Sequence, residues 1–317
     1  MKKLLITRLI PEANIVWARE RFDVTLRDTI VGLTVAEAAQ ALRDYDAIVM
    51  TIGDQFSAAT FALVTAPRCR VLANFGVGYN HIDVEAARAV GVAVSNTPDV
   101  VTDATADIGM TLILATCRRA GEGERIVRAG EWTGWGPTHM LGTHVTGKTV
   151  GIVGMGRIGQ AVAHRCHYGF DMPVLFFNRS VKATAVPALQ VDTLAELMAS
   201  ADIVVVTVPG GGANTHLIDA AALAAMKPTG IFVNIARGDV VDEAALVEVL
   251  AARRIAGAGL DVFAKEPFVP EALRKMEHVV LLPHLGTAAL DVREAMGQMA
   301  LDNIMAGVAG LALPQAL

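Results

Sequence analysis

Three ionisable residues follow candidate β-strands in the second half of the chain, and their side chains suit proton and charge transfer. They are Arg237 in "NIARGD", Glu266 in "DVFAKEP" and His284 in "LLPHLG". Ligands of open parallel sheets bind outside the carboxyl ends of the strands, so the three side chains could meet there. Arginine can hold a carboxylate and a carbonyl oxygen, histidine can donate a proton, and a carboxylate can orient the imidazole and favour its protonated form. Such a set would suit the reduction of a 2-oxo acid.

Each of these residues also has an ordinary structural explanation. Arg237 could pair with Asp239 in the same loop, Glu266 could be a solvated loop acid, and His284 could be a capping residue. The three residues together are stronger evidence for a functional site than any one of them alone, because a cation, a carboxylate and an imidazole occur at the ends of successive candidate strands.

A glycine motif precedes these residues and predicts a dinucleotide site. "TVGIVGMGRIGQAVAHRC" places Gly154, Gly156 and Gly159 in G-x-G-x-x-G spacing between an apolar strand pattern and a helical pattern. The first glycine allows a sharp turn, the second lets the backbone approach a pyrophosphate, and the third permits close helix packing. The amide groups at the start of the helix would then face the phosphates.

The residues after the next candidate strand, "PVLFFNRS", bear on the choice of coenzyme. An NAD-binding domain usually presents Asp or Glu at this strand end to the ribose hydroxyls. Here Asn178, Arg179 and Ser180 stand there instead. A guanidinium can hold a 2′-phosphate that a carboxylate would repel, so the residues favour NADP(H), with NAD(H) as the second choice. A solvated arginine at a strand end is the structural alternative.

Composition excludes several other classes of protein. With 53% hydrophobic and 19% charged residues, the chain is typical of a compact cytosolic α/β protein. A net charge of -5 gives no general attraction to nucleic acid or anionic membranes, so neither is expected as a partner. Cys69, Cys117 and Cys166 are far apart, which favours reduced thiols over disulfides and predicts no metal site. Arg8 and Pro11 interrupt the N-terminal apolar run too early for a signal peptide, so a cytoplasmic location is expected.

Short β-branched runs alternate with helical patterns, which predicts an α/β fold with helices on both faces of parallel sheets. The first series of candidate strands is "KLLITR", "FDVTL", "DAIVMT", "RVLANF" and "GVAVSN". The second series is "GKTVGIVG", "PVLFF", "DIVVVTV", "GIFVNIA", "IAGAGLDV" and "HVVLLP". In "TVAEAAQALRD", Thr34 and Glu37 have the spacing of a capping box.

Two domains are expected from the chain length and from "NTPDV", where Pro98 disfavours helix and Asp99 is a candidate cap for the helix that follows. The C-terminal helical tail is too small to form a domain and is expected to return to the first one. We therefore predict a substrate-binding domain formed by residues 1–98 with 286–317, and a dinucleotide-binding domain at 99–285.

The chain resembles the D-isomer-specific 2-hydroxyacid dehydrogenases over nearly its whole length. The likeness rests on "NFGVGYNHID", "NTPDVVTDATAD", "VGIVGMGRIGQ", "VNIARGDVVDEAAL", "DVFAKEP" and "LLPHLGTAA". It implies two doubly wound parallel-sheet domains, a flavodoxin-like substrate domain and a Rossmann cofactor domain. It also implies that Arg237, Glu266 and His284 are catalytic, and that the amides of Val77 and Gly78 bind the substrate carboxylate. The implied cofactor contacts are Thr105, Gly154, Gly156, Arg157, Ile158, Asn178, Arg179, Ser180, Pro209 and Asp261.

Within that family, "NRS" and "GEWTGWGP" are most similar to the glyoxylate and hydroxypyruvate reductases. The resemblance implies NADPH-dependent reduction of these small 2-oxo acids to 2-hydroxy acids. It also implies a homodimer in which Trp135 approaches the substrate of the partner subunit. A tryptophan buried only in the dimer contact is the alternative. Residues near Ile52 and Gly53 are expected to line the substrate site.

Other functions stay open at this point. An NAD-linked D-lactate type of enzyme would be expected to have an acid at position 178, and a formate dehydrogenase would have glutamine in place of Glu266. A phosphoglycerate dehydrogenase with a regulatory domain would need a longer C-terminus. A nucleotide-sensing protein without catalysis, like the corepressors of the family, is a further alternative. In "TVPGGGANTHLI", Gly210–Gly212 replace bulkier residues of many relatives, which predicts a more mobile loop.

Overall fold

The structure is a computed structural model that describes residues 1–317. The strands are β1 Lys3–Ile6, β2 Asp23–Leu26, β3 Ala47–Met50, β4 Val71–Asn74, β5 Ala93–Ser95, β6 Val150–Val153, β7 Val174–Phe177, β8 Ala188–Gln190, β9 Ile203–Val206, β10 Ile231–Asn234, β11 Gly257–Leu260 and β12 Val279–Leu281. The helices are α1 Glu12–Arg19, α2 Val35–Asp44, α3 Ala58–Ala62, α4 Val84–Ala89, α5 Thr102–Cys117, α6 Ala120–Ala129, α7 Arg157–Phe170, α8 Leu194–Ser200, α9 Ala220–Ala224, α10 Glu243–Ala251, α11 Glu271–Arg274 and α12 Leu290–Val308. Short 3₁₀ helices cover Gly212–Asn214 and Gly238–Val240.

The chain divides into two compact units. The first comprises Met1–Val101 with Thr287–Leu317, and the second comprises Thr102–Gly286. It stays a prediction that the first unit binds the substrate and that the second binds the cofactor.

The first unit is built on a five-stranded parallel sheet in the order β2-β1-β3-β4-β5. Alternation along β3 sends Ile48 and Met50 into one apolar core and Ala47 and Val49 into the other, because the two faces of a parallel sheet are both covered. Helix α12 packs against β3, β4 and α1. The capping box predicted for α2 is present, with the Thr34 side chain accepting from the Glu37 amide.

The second unit is built on a seven-stranded parallel sheet in the order β12-β11-β10-β9-β6-β7-β8. The strand order reverses between β6 and β9, which is where open sheets of this kind bind nucleotides. Helix α5 packs against α7, β10 and β11. The predicted fold class, with two doubly wound parallel sheets, is confirmed.

Some local predictions differ from the structure. Strand β8 was not predicted, because "ALQ" is short and carries no β-branched residue. The predicted cap Asp99 is not directly before a helix, since α5 begins at Thr102 and Asp99 has a positive φ of 67°.

The three cysteines are buried free thiols, and burial raises the pKa of Cys69 to about 12. No helix is both long and apolar enough to cross a membrane.

Candidate functional site

His284 and Glu266 form a hydrogen-bonded pair in the second unit. His284 Nδ1 lies 2.8 Å from Glu266 Oε2, and Glu266 Oε1 accepts from the amide of Phe263 at 3.1 Å. Burial opposes ionisation of Glu266, but the bond from His284, the charge of His284 and that of Arg237 together lower its pKa. The carboxylate therefore stays ionised and holds the imidazole through Nδ1, and no hydrogen bond within the chain engages His284 Nε2.

Arg237 lies directly beyond β10, and its guanidinium is largely buried with little pairing. Nη1 donates to the carbonyl oxygen of Ala236 at 2.7 Å, and Nε is buried without an acceptor. Burial lowers the pKa of Arg237, while the charges of Glu266 and Asp239 oppose that change. An arginine pairs strongly with carboxylates, so a buried guanidinium with an unused donor is suited to an anionic ligand.

Asp239 does not pair with Arg237 but holds the neighbouring glycine loop. Its Oδ2 accepts from the amide of Gly211 at 2.7 Å. A Cβ at Gly210 would lie 2.7 Å from Arg237 Cγ and 2.8 Å from Asp239 Oδ1. The first of the three glycines is therefore required by the packing of Arg237, a reason that the sequence alone did not indicate.

Asp261 fixes the backbone that carries His284. Its carboxylate oxygens accept from the amides of Leu285 at 2.7 Å and Gly286 at 2.9 Å, while its carbonyl oxygen accepts from the His284 amide at 2.9 Å. Burial raises the pKa of Asp261, and those two amides act in the opposite direction. Buried Thr105 lies beside Asp261, since both would contact a Cβ built at Gly286. The predicted contacts of Asp261 and Thr105 with a cofactor stay predictions.

The glycine motif joins β6 to α7 at the point where the strand order reverses. Gly154 has a φ of +100°, and its carbonyl oxygen accepts from Thr207 Oγ1 at 2.6 Å. A Cβ at Gly159 would overlap that same oxygen, whereas a Cβ at Gly156 would meet nothing within 4 Å. Gly156 is the cap of α7, no side chain caps the helix, and Arg157 and Ile158 open its first turn. The open space and the uncapped amides fit a pyrophosphate.

The candidate coenzyme-selecting residues lie directly beyond β7. Arg179 is exposed and has no hydrogen bond or ion pair in the chain. Asn178 accepts from the Met155 amide at 3.3 Å and donates to the carbonyl oxygen of Ser180 at 2.9 Å. The segment thus contacts the glycine loop and presents one free cation. Pro209, exposed after β9, accepts from Asn214 at 3.0 Å.

In the first unit, the turn after β4 holds the backbone groups predicted to bind a carboxylate. Asn74 Nδ2 donates to the carbonyl oxygens of Gly76 at 2.8 Å and Gly78 at 2.9 Å, and Asn96 Nδ2 donates to that of Val77 at 2.8 Å. The amides of Val77 and Gly78 have no acceptor in the chain. Because the carbonyl oxygens are engaged and the amides are not, the turn suits an anion.

The loop after β3, predicted to line the substrate site, is organised by a buried carboxylate. Asp54 accepts from Thr7 Oγ1 at 2.6 Å and from the amides of Leu33 at 2.8 Å and Thr51 at 2.9 Å. Ile52 beside it is 42% exposed. The carboxylate therefore ties together the loops that follow β1, β2 and β3.

Trp135 lies outside these sites within its own chain. It is 84% exposed and follows α6 in a segment without helix or strand. The sequence reasoning also missed several supporting side chains: Asn74, Asn96, Asp54, Asp239 and Gln190. The only signal for them was their position next to the glycine-rich turns and strand ends, which does not distinguish them from other polar loop residues.

Known proteins resemble the chain across almost all of its length. The family model "D-isomer specific 2-hydroxyacid dehydrogenase, NAD binding domain" matches residues 110–286. The glyoxylate reductase of Thermococcus onnurineus is 44% identical over 310 residues, covering 96% of this chain and 92% of that protein.

Solved structures give the same result. The NADPH-dependent glyoxylate/hydroxypyruvate reductase of Sinorhizobium meliloti, in complex with NADP and malonate, superposes with a TM-score of 0.89 at 32% identity, covering 100% of this chain and 96% of that one. A glyoxylate reductase from Paecilomyes thermophila has a TM-score of 0.87 at 30% identity, covering 100% and 98%.

The similarity spans both units, and the family model covers the glycine motif together with Arg237, Glu266 and His284. The predicted family is confirmed. The chain belongs to the D-isomer-specific 2-hydroxyacid dehydrogenases and is an NAD(P)-dependent oxidoreductase of that family.

Proposed function

We propose that this protein reduces small 2-oxo acids, with glyoxylate and hydroxypyruvate as preferred substrates and NADPH as preferred coenzyme. The observation that carries the proposal is the 2.8 Å hydrogen bond between Glu266 and His284, which orients the imidazole, while the same carboxylate interacts electrostatically with the buried Arg237. The names of the relatives in Thermococcus onnurineus and Sinorhizobium meliloti support the choice of substrates.

His284 is the proton donor in this proposal. The bound nicotinamide cofactor supplies a hydride to the carbonyl carbon. His284 Nε2 gives its proton to the carbonyl oxygen, so the products are the 2-hydroxy acid and a neutral imidazole. Burial opposes ionisation of Glu266, but the hydrogen bond from His284 and its charge lower the pKa of the carboxyl group, and the ionised carboxylate holds the ring in place for transfer.

Arg237 binds the substrate oxygens and stabilises the negative charge that develops on the carbonyl oxygen. Its unused Nε and its burial support this role, because a charge–charge contact is stronger where water is excluded. The free amides of Val77 and Gly78 are proposed to bind the substrate carboxylate.

The cofactor is proposed to lie along the glycine motif. Gly154, Gly156, Arg157 and Ile158 would hold the pyrophosphate at the start of α7, with Thr105, Pro209 and Asp261 as further contacts. Exposed and unpaired Arg179 would hold the 2′-phosphate of NADP(H), with Asn178 and Ser180 beside it. The absence of an acid at position 178 makes strict use of NAD(H) the less favoured alternative.

A homodimer is part of the proposal. Helix α6 has no buried residue in the single chain, and Trp132 and Trp135 after it are exposed. Apolar surface of this kind is typical of an interface. Trp135 would then contribute to the substrate site of the partner subunit.

Steady-state assays with glyoxylate and hydroxypyruvate test the proposal. We expect kcat/KM to be at least about tenfold higher with NADPH than with NADH, and Arg179→Ala to remove most of that difference. The same variant should keep its NADH activity within about twofold. Equal kcat/KM with the two coenzymes in the unchanged protein would contradict the coenzyme assignment, and no turnover of any small 2-oxo acid would contradict the reaction.

A further inference from the structure

Strand β8 supplies a side chain that fastens the Asn178–Ser180 segment. Gln190 is the last residue of β8 and pairs with Phe176 of β7 in the parallel register. Its Nε2 donates to the carbonyl oxygens of Asn178 and Ser180, both at 3.2 Å. Its Oε1 accepts from the amide of Lys182, also at 3.2 Å. One carboxamide therefore holds three backbone groups of the loop beyond β7.

The Asn178 side chain completes the same arrangement. Its Nδ2 donates to the carbonyl oxygen of Ser180 at 2.9 Å and lies 3.3 Å from Ser180 Oγ. In contrast, the amides of Arg179, Ser180 and Val181 have no acceptor within the chain. The carbonyl oxygens of Asn178 and Ser180 are thus engaged by side-chain donors, while successive amides beside the unpaired guanidinium of Arg179 are left open.

Open amides next to engaged carbonyl oxygens favour the binding of an anion beside Arg179. Carbonyl oxygens near a phosphate would repel it, and amides would attract it. Hydrogen bonds from Gln190 and Asn178 to the carbonyl oxygens hold the loop in the conformation that exposes its amides before a ligand binds. Less conformational entropy is therefore lost on binding.

We propose that Gln190 is a positioning residue that sets the coenzyme preference by holding the loop of Asn178–Lys182 ready for the 2′-phosphate of NADP(H). The inference deepens the proposed function and rests on its assignment of the 2′-phosphate to Arg179. It assigns a role to an edge strand, β8, that lies outside the glycine motif and the catalytic residues. Gln190 acts through the loop and does not itself touch the coenzyme.

Only a carboxamide fits the three partners of Gln190. Two of the partners are acceptors and one is a donor, and the amide group supplies two N–H groups and one oxygen. A carboxylate at the same position could accept from Lys182 but could donate to neither carbonyl oxygen. It would also place a negative charge near the phosphate.

Gln190→Met and Gln190→Glu test the inference, with Leu189→Ala on the same strand as the matched control. Leu189 is 63% exposed, so its truncation disturbs β8 without removing a contact to the loop. Binding of adenosine 2′,5′-bisphosphate and of 5′-AMP is measured by calorimetry, and kcat and KM are measured with NADPH and NADH. The 5′-AMP probe reports whether the adenosine site is still folded, because it lacks the 2′-phosphate.

We expect Gln190→Met to weaken binding of the bisphosphate and to raise the KM for NADPH by about tenfold, with a larger effect for Gln190→Glu. Affinity for 5′-AMP, the KM for NADH and both kcat values should stay within about twofold, as for Leu189→Ala.

Three results would overturn the inference, and they are distinguishable. If Arg179→Ala abolishes the preference for NADPH while Gln190→Met leaves it intact, the proposed function stands and the role of Gln190 is wrong. If the unchanged protein binds the bisphosphate no better than 5′-AMP, both the coenzyme assignment and the role of Gln190 are wrong. Equal loss of both probes in Gln190→Met would show a structural role only and would also overturn it.

Discussion

At the scale of single residues, the proposed proton donor is held in an uncommon backbone conformation. His284 has a φ of +55°, which costs energy for a residue with a side chain. Asp261 compensates, because its carboxylate and carbonyl oxygens accept from three successive amides, those of His284, Leu285 and Gly286. Glu266 then fixes the ring. The backbone and the ring are therefore each held by a separate acid.

The position of Arg237 depends on Gly210, because a side chain there would occupy the space that the arginine fills. We expect Gly210→Ala to lower kcat/KM for glyoxylate by about tenfold to a hundredfold, because the added Cβ would displace the arginine and small misplacements are costly in catalysis. Gly212→Ala is the control, since its Cβ would meet nothing within 4 Å although its φ of +54° is strained. Equal activity of the two variants would show that Arg237 is not held this way.

At the scale of elements, the two turns that are proposed to bind anions share one arrangement of hydrogen-bond donors. Asn74 and Asn96 engage the carbonyl oxygens of the turn after β4, and Gln190 and Asn178 engage those of the loop after β7. In both cases a carboxamide satisfies the acceptors and leaves neighbouring amides for a ligand. At the start of α7, the backbone amides are left open next to a glycine cap, Gly156, without any side-chain hydrogen bond.

We assign Gly159 of the motif to packing and Gly156 to coenzyme binding, and a pair of variants distinguishes these two roles. We expect Gly159→Ala to lower the free energy of unfolding by about 1–3 kcal/mol, because its Cβ would overlap the carbonyl oxygen of Gly154. Gly156→Ala should change it by less than about 1 kcal/mol, since the space there is open, but should raise the KM for NADPH. Denaturant unfolding and steady-state kinetics check both. Similar destabilisation by the two would contradict the assignment.

The elements also show where reasoning from sequence succeeds and fails. β-Branched runs such as "IVVV" and the spacing of Gly154, Gly156 and Gly159 depend on local chemistry, and they predicted the strands and the turn correctly. Strand β8 and the contacts of Gln190 depend on pairing between segments that are distant in the chain. Hydrophobic pattern does not encode that register for a three-residue edge strand, so the support for Arg179 could not be predicted.

At the scale of the whole molecule, the two units present the same type of binding edge. Each has an open parallel sheet with a reversal of strand order, between β1 and β3 in the first unit and between β6 and β9 in the second. The candidate residues lie in loops beyond the carboxyl ends of the strands, after β3 and β4 in the first unit and after β6, β7, β9, β10, β11 and β12 in the second. Both units are therefore suited to bind ligands, which is consistent with one reaction that needs a substrate and a coenzyme.

The exposed apolar residues around α6 lead to a prediction on assembly. Val127 and Leu141 are 60% and 67% exposed, and we expect the protein to be a dimer by light scattering. Val127→Asp should shift it toward monomer, because a charge in an apolar interface is costly. Leu311→Asp, at a residue 68% exposed outside this segment, should leave the dimer intact. A monomeric unchanged protein would contradict the prediction.

Transfer of a proton from His284, with Glu266 holding the ring, is the central step of the proposed reaction. The pKa of Glu266 is lowered in the folded chain, so the stability of the pair is complete above the usual range of a glutamate and is lost as pH falls through the lowered pKa. Above that range the charge of the carboxylate is constant, so a change of pH there does not alter its hydrogen bond to the ring. Replacing the carboxylate by a carboxamide removes the negative charge that lies beside the ring.

The direct measurement is the pH–rate profile of glyoxylate reduction in the unchanged protein and in Glu266→Gln. A deuterated nicotinamide coenzyme should be used to confirm that hydride transfer limits the rate. We predict a rate that falls as pH rises, because the donated proton must be present, and a rate in Glu266→Gln that is lower by about tenfold to a hundredfold near neutrality, as expected for loss of a hydrogen bond to a charged group. A profile that is flat through the histidine range, or that is identical in the two proteins, would contradict the account.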